Sequence, residues 1–312
     1  MTTLLNTFEA EFRVRLLDVI YRQWRDLGSP FSLGNHPAPT EVIDPEALLW
    51  CSLEFIATDA RLLETVLEWF DSNKSSLIQQ RLNGRSADNE PRSLLWQALS
   101  NKAVSGEDSE MFQPLDGLES PAGLADLIAK VTNRSRGVSG AERLGRPRRG
   151  SSTLLLRARD LLGPDIRHFL LVYLLSNPGG GRLRTVQRWS GFTYRGVSEA
   201  AKRWTFADIV SIDHGFCQLN NPQAWTELLQ RQENLVLIDW FRCFDASIRL
   251  LRNLAQAKLR NLSWDNPVIA TFMREAHDAI SAPPLGGLLS NASLIAHLLD
   301  VFSKYDLILA AH

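Results

Sequence analysis

Thr193, Tyr194, Arg195, Ser198, Glu199, Lys202 and Arg203 fall in one short stretch, Trp189 to Trp204, and their side chains suit one kind of partner. Arg195 can donate to the O6 and N7 edge of guanine, Glu199 can accept from cytosine N4, and Lys202 and Arg203 can neutralise phosphates. Val197, Ala200, Ala201 and Trp204 recur among them at the i, i+3, i+4, i+7 spacing of a buried helical stripe. That spacing turns Arg195, Glu199 and Lys202 to the opposite side. The same residue types also suit an ordinary solvated face, with Glu199 paired to Lys202 or Arg203 one turn on.

The flanking sequence supplies the elements that such a face needs. Leu183 to Trp189 reads as a short helix, Ser190-Gly191-Phe192 as a turn, and Thr193 as the cap of a helix running to Trp204. Upstream, Gly163-Pro164-Asp165 starts a helix through Ser176, and Asn177-Pro178-Gly179-Gly180-Gly181 stops it and forms a loop. Downstream, Ile209 to Ile212 and Phe216 to Leu219 read as two short strands around Asp213-His214-Gly215. The expected order is helix, helix, turn, helix, hairpin. In that order, and in Leu183, Val186, Gly191-Phe192-Thr193, Val197, Ala200, Trp204 and Ile209 to Leu219, the segment resembles the winged helix-turn-helix domain of bacterial transcription regulators. The resemblance covers about one fifth of the chain, the size of such a module. It implies that the helix Thr193 to Trp204 enters the major groove of double-stranded DNA while the hairpin lies along the backbone or minor groove. Thr193, Tyr194, Arg195, Ser198, Glu199 and Lys202 would then face bases or phosphates, His214 would sit at the tip of the wing, and Arg184 and Arg203 would join them as DNA contacts. Winged helices also serve as protein-docking modules.

A net charge of −1 conceals an asymmetry. From Arg134 to Arg203 the chain carries 15 Arg or Lys against four acids, an excess of 11 positive charges, which leaves 19 basic and 31 acidic residues elsewhere. Such a block is the electrostatic footprint of a polyanion partner, or else a solubilising linker. Its first part, 133–152, is rich in Gly, Ser and Arg with almost no apolar residue, and reads as a flexible connector. Within it, Gly145-Arg146-Pro147-Arg148-Arg149 resembles the Gly-Arg-Pro core of an AT-hook. That resemblance implies Arg146, Arg148 and Arg149 laid into a narrow minor groove. A generic basic tether is the plainer use of the same residues.

With 312 residues, 45% hydrophobic and 22% charged, the chain has ordinary globular composition. The expected fold is mostly α, in four parts: a helical N-terminal domain (1–132), a basic flexible linker (133–153), a winged helix-turn-helix (154–221) and a helical C-terminal domain for dimerisation or partner binding (222–312). Asp44-Pro45-Glu46 opens one helix, Thr58-Asp59 breaks it from the next, and Asn221-Pro222 opens another. Further breaks are expected at Asn261 to Pro267 and Ser281 to Gly287. Leu237, Phe241, Phe244, Ile248, Leu251 and Ala255 form a heptad-like seam that suits either a homodimer or packing against Pro267 to Leu309 of the same chain. A DNA reader favours the homodimer, because two recognition helices read an inverted repeat.

Several function classes lack their signatures. No phosphate loop, nucleophile elbow or His-Glu-x-x-His is present, and the six histidines form no ligand-spaced pair, so no enzyme activity, cofactor or metal is expected. His168, beside Phe169, suits packing or capping. Cys51, Cys217 and Cys243 contain no Cys-x-x-Cys pair and read as buried free thiols of a reducing compartment. No run approaches the roughly 18 apolar residues of a membrane span, and the N-terminus lacks a signal-peptide pattern. A cytoplasmic protein without membrane contact is expected. The expected function is a DNA-binding transcriptional regulator. The alternative is a protein-interaction module, such as an antitoxin or accessory partner of a bacterial toxin system, with or without autoregulatory DNA binding, whose acidic helical domains grip a protein.

Overall fold

Several helices begin where an Asp, Asn or Thr side chain can accept from a backbone N–H that the first turn leaves unpaired. Asp59 accepts from Arg61 N and Leu62 N at 3.1 Å, Asp165 from Arg167 N at 2.8 Å, and Thr193 from Gly196 N at 3.2 Å. Asn221, Asp239 and Asn266 cap Ala224 N, Arg242 N and Val268 N at 3.0 to 3.2 Å. Asn221 and Asn266 each precede a proline, whose missing N–H goes unnoticed at a helix start.

The computed structural model describes residues 2–29, 41–56, 58–85, 91–104, 151–229, 235–287 and 293–310. Arg146, Arg148, Arg149 and the expected boundary between residues 132 and 133 lie outside the described residues. In chain order the elements are α1 (Thr2–Asp26), β1 (Glu41–Val42), α2 (Pro45–Ser52), α3 (Ala60–Asn73), α4 (Gln79–Asn83) and α5 (Pro91–Val104). From residue 154 onward come α6 (Leu154–Leu162), α7 (Ile166–Ser176), β2 (Gly181–Arg182), α8 (Leu183–Ser190), α9 (Tyr194–Phe206), β3 (Val210–Asp213), β4 (Phe216–Leu219) and α10 (Pro222–Leu228). The chain then runs through β5 (Val236–Leu237), α11 (Trp240–Leu259), α12 (Pro267–Ile280) and α13 (Leu294–Ala310). The described chain is therefore mostly helical. It forms two compact units, one of residues 1–48 with 148–312 and one of residues 49–147.

Within 49–147, α3 and α5 bury Leu62, Val66, Trp69, Phe70, Trp96 and Leu99. Phe70 and Trp96 meet edge to face at 6.0 Å, and the Trp96 indole N–H donates to Asn83 Oδ1 at 2.7 Å.

The other unit is organised around α7. Its residues His168 to Ser176 are all buried, so a helix apolar on every side serves as the support on which α6, α8, α9, α10, β4 and β5 pack. In the same unit, α1, α11, α12 and α13 pack on one another, with Phe8, Phe12, Trp264 and Phe302 at ring separations of 5.4 to 5.8 Å. This packing consumes the heptad-like seam. Leu237, Phe241, Phe244, Ile248 and Leu251 are at most 4% exposed within one chain, and Ala255 is half-buried. The expected dimer seam is therefore intramolecular core, because the spacing reports a buried stripe on α11 without saying which helices cover it.

Short strands add connections that carry no periodic signal. β1 pairs parallel with β5, Glu41 opposite Val236 and Val42 opposite Leu237, and the Trp240 indole N–H donates to Val42 O at 2.7 Å. The buried Glu41 carboxylate accepts from Leu294 N at 2.6 Å and so caps α13 from a distant part of the chain. β2 joins the hairpin in the order β2-β4-β3, where the sequence suggested only a loop. Gly181 belongs there because a Cβ would lie 2.2 Å from the Tyr173 hydroxyl of α7. Among the described residues no helix is long and apolar enough to cross a membrane.

Candidate nucleic-acid interface

α8 ends where the Gly191 N–H donates to Gln187 O at 3.1 Å, and Thr193 opens α9 two residues later. Val197, Ala200, Ala201 and Trp204 are buried, as their spacing requires, and α9 lies on α7 and α8. Trp189 and Phe192 close this joint against Phe169, with ring centroids 4.9 and 6.1 Å from it. In the hairpin, His214 and Gly215 have φ of 44° and 76°, the two positive values of a type I′ turn. Leu183 N–H donates to Gly215 O at 3.0 Å, which ties the turn to the start of α8.

The opposite face of α9 is open. Thr193, Tyr194, Arg195, Glu199, Lys202 and Arg203 are exposed and Ser198 is half-buried. Arg195 Nε donates to Glu199 Oε1 at 2.8 Å, so Glu199 pairs with the residue one turn before it and not with Lys202 or Arg203. This hydrogen bond, with the Arg195 charge, holds the Glu199 carboxyl below its ordinary range and raises the Arg195 guanidinium. Thr193 Oγ1 is committed to capping. The Arg184 guanidinium lies over the Tyr194 ring at 5.4 Å, and a side-chain Cβ at Gly215 would stand 3.5 Å from the Tyr194 hydroxyl. Arg184, Tyr194 and the hairpin turn thus gather at the N-terminal end of α9. Two exposed arginines beside them were missed in the sequence. Arg188 follows Arg184 by one turn of α8, a spacing that was legible, and Arg182 stands opposite Phe216 in the short β2–β4 pairing, which was not.

His214 does sit at the hairpin tip, fully in solvent, with its Nε2 3.7 Å from Asp213 Oδ1. From residue 205 to 221 the chain holds Asp208 and Asp213 but no Lys or Arg. His214 is therefore the one basic side chain of the hairpin.

Part of the basic block is spent on partners within the chain. Arg159 Nη1 and Nη2 donate to Glu46 Oε1 and Oε2 at 2.6 and 2.7 Å, and its Nε donates to His168 Nε2 at 3.0 Å. His168 is thereby held as the neutral tautomer whose Nδ1–H faces Gly163 O at 3.2 Å. Arg167 binds Asp165 Oδ2 and Leu162 O at 2.7 Å, and Arg157 Nη1 donates to Leu229 O. The outward positive charge of the described residues is correspondingly smaller than the count along the sequence.

Cys51, Cys217 and Cys243 are buried thiols that form no disulfide among the described residues. Burial pushes the Cys217 thiol up to about 11 and raises Cys243 as well, which keeps both protonated and unreactive. Among the described residues no group of three or more His, Cys, Asp or Glu could hold a metal ion. No protein-family model, curated protein or solved structure matches the chain.

Proposed function

We propose that residues 154–221 act as a winged helix-turn-helix module that reads double-stranded DNA with α9 in the major groove, and that the protein is a transcriptional regulator. The observation that carries this reading is a helix with its apolar stripe buried against α7 and α8 and a cationic face left open. Arg195, Lys202 and Arg203 project from α9, with Arg184 and Arg188 beside them on α8. A helix fixed in rotation and bare on one side fits a groove about 12 Å wide. In this arrangement Arg195 reads a guanine, and Lys202, Arg203, Arg184 and Arg188 neutralise phosphates. A homodimer would double the contact, and with the α11 seam buried its two-fold axis must run through another surface. The test is binding of the full chain to a fluorescein-labelled duplex across a salt series. Affinity should fall steeply with salt, with a slope of about −0.9 per phosphate contacted. Affinity that is absent at low salt, or indifferent to salt, overturns the reading.

A second reading draws on the hairpin. With Asp208, Asp213 and no lysine or arginine, it suits a basic protein surface better than a phosphate backbone. On that reading the chain is an interaction module of the antitoxin or accessory type, and α9 keeps at most an autoregulatory role.

A further inference from the structure

Resting on the DNA reading above, we propose that Glu199 is a positioning residue for a guanine reader: it holds Arg195 by Nε, so that Nη1 and Nη2 are presented together to the O6 and N7 edge of one guanine. The guanidinium is a rigid planar fork, so fixing one of its nitrogens fixes the direction in which the others point. The 2.8 Å bond from Nε to Glu199 Oε1 takes up the inner donor and leaves the outer pair, the one that forms the bidentate contact with guanine. An arginine held in this way loses less side-chain freedom on docking than one that is loose in solvent.

Both side chains are open to water, so the pair does little for the fold and stands accessible to whatever meets this face. When a groove closes over α9 and expels water, the same hydrogen bond strengthens as the local dielectric falls. The carboxylate has a further effect. Placed among Lys202, Arg203 and Arg195, it opposes docking that uses phosphates alone, so it trades affinity for any duplex against preference for the right one. Direct acceptance from cytosine N4 by Glu199 is the competing role, and the two differ in which base the side chain selects.

The test selects a duplex with the full wild-type chain from a random-sequence library, then measures binding to that duplex and to copies with single base pairs exchanged. Wild type should prefer guanine at one position by about tenfold or more. Glu199→Ala should reduce that preference to a few-fold while leaving affinity for random-sequence duplex unchanged or higher. Glu199→Gln, which keeps an oxygen acceptor for Nε, should restore most of the preference. Full guanine preference in Glu199→Ala overturns the proposal, as does loss of preference at a cytosine with the guanine untouched; in both cases DNA reading stands. A wild-type chain that binds no duplex overturns DNA reading itself, and this proposal with it.

Discussion

Two arginine–glutamate pairs in one unit share their chemistry and differ in everything else. The side chains of Arg159 and Glu46 are 1% and 0% exposed, while those of Arg195 and Glu199 are 88% and 52% exposed. In the buried pair both carboxylate oxygens and the arginine Nε are committed, the last to His168, so the charges are matched inside the protein. In the exposed pair a single hydrogen bond joins the partners and the outer nitrogens of Arg195 remain available to a ligand. Burial decides the role: the first pair joins α2 to α6 and α7, the second offers a surface.

Breaking the buried pair should therefore have the largest effect. Arg159→Ala or Glu46→Ala should lower the stability of the unit by about 3–5 kcal/mol, since each takes a bidentate ion-pair partner from a charge held in the core. The urea unfolding midpoint measures this, and removal of both partners by Glu46→Leu with Arg159→Met should recover much of the loss. Val197→Asp attacks the same distinction from α9. It places a charge at a position that is 0% exposed, and should free α9 from α7 and abolish duplex binding together with the native circular dichroism of the module.

Changes to the exposed pair should leave the fold alone. Arg195→Ala should weaken binding to the preferred duplex about tenfold and relax one base preference, with no shift in the unfolding midpoint. Lys202→Ala should weaken all duplexes alike and reduce the salt slope by about one. Equal losses from Arg195→Ala on preferred and random duplexes would erase the difference between the two residues.

A third pair lies between these extremes and should give the smallest effect. His297 Nε2 is 2.9 Å from Asp18 Oδ2 and 3.0 Å from Arg15 Nη1, and burial, followed by the charges of Arg15 and Arg22, holds it below its ordinary value of 6.5 despite Asp18. The folded chain then binds this proton less readily than the unfolded chain does. Its contribution is present above about pH 6.5 and is lost as the pH falls through the lower folded value. Unfolding followed from pH 8 to pH 5 should show this acid sensitivity, and His297→Gln should diminish it.

What was legible in the sequence is what local chemistry determines. Thr193, Asp165, Asn221 and Asp59 act as caps within three residues of their own position, and the stripe of Val197, Ala200, Ala201 and Trp204 follows from 3.6-residue periodicity. What was hidden depends on partners far along the chain. β1 and β5 are two residues each and 195 positions apart, so neither leaves a pattern. The seam on α11 was visible as a stripe, but α1 and α12, which cover it, could be identified only in three dimensions. Arg159 looked like part of a polyanion footprint because its partner, Glu46, lies 113 positions away. For the site, the helix and its open face were legible, whereas the pairing of Arg195 with Glu199 was one of several equivalent one-turn options.

The most direct measurement is a crosslink from the centre of the α9 face. Since Cys51, Cys217 and Cys243 are buried, Ser198→Cys provides one accessible thiol for a photoactivatable phenyl azide, and the full chain can then be irradiated with bound duplex. The expected result is covalent attachment to bases of the duplex, lost in high salt and in Val197→Asp. A labelled chain that binds duplex with wild-type affinity yet never crosslinks from position 198 would contradict docking through α9 and place the DNA contact elsewhere in the chain.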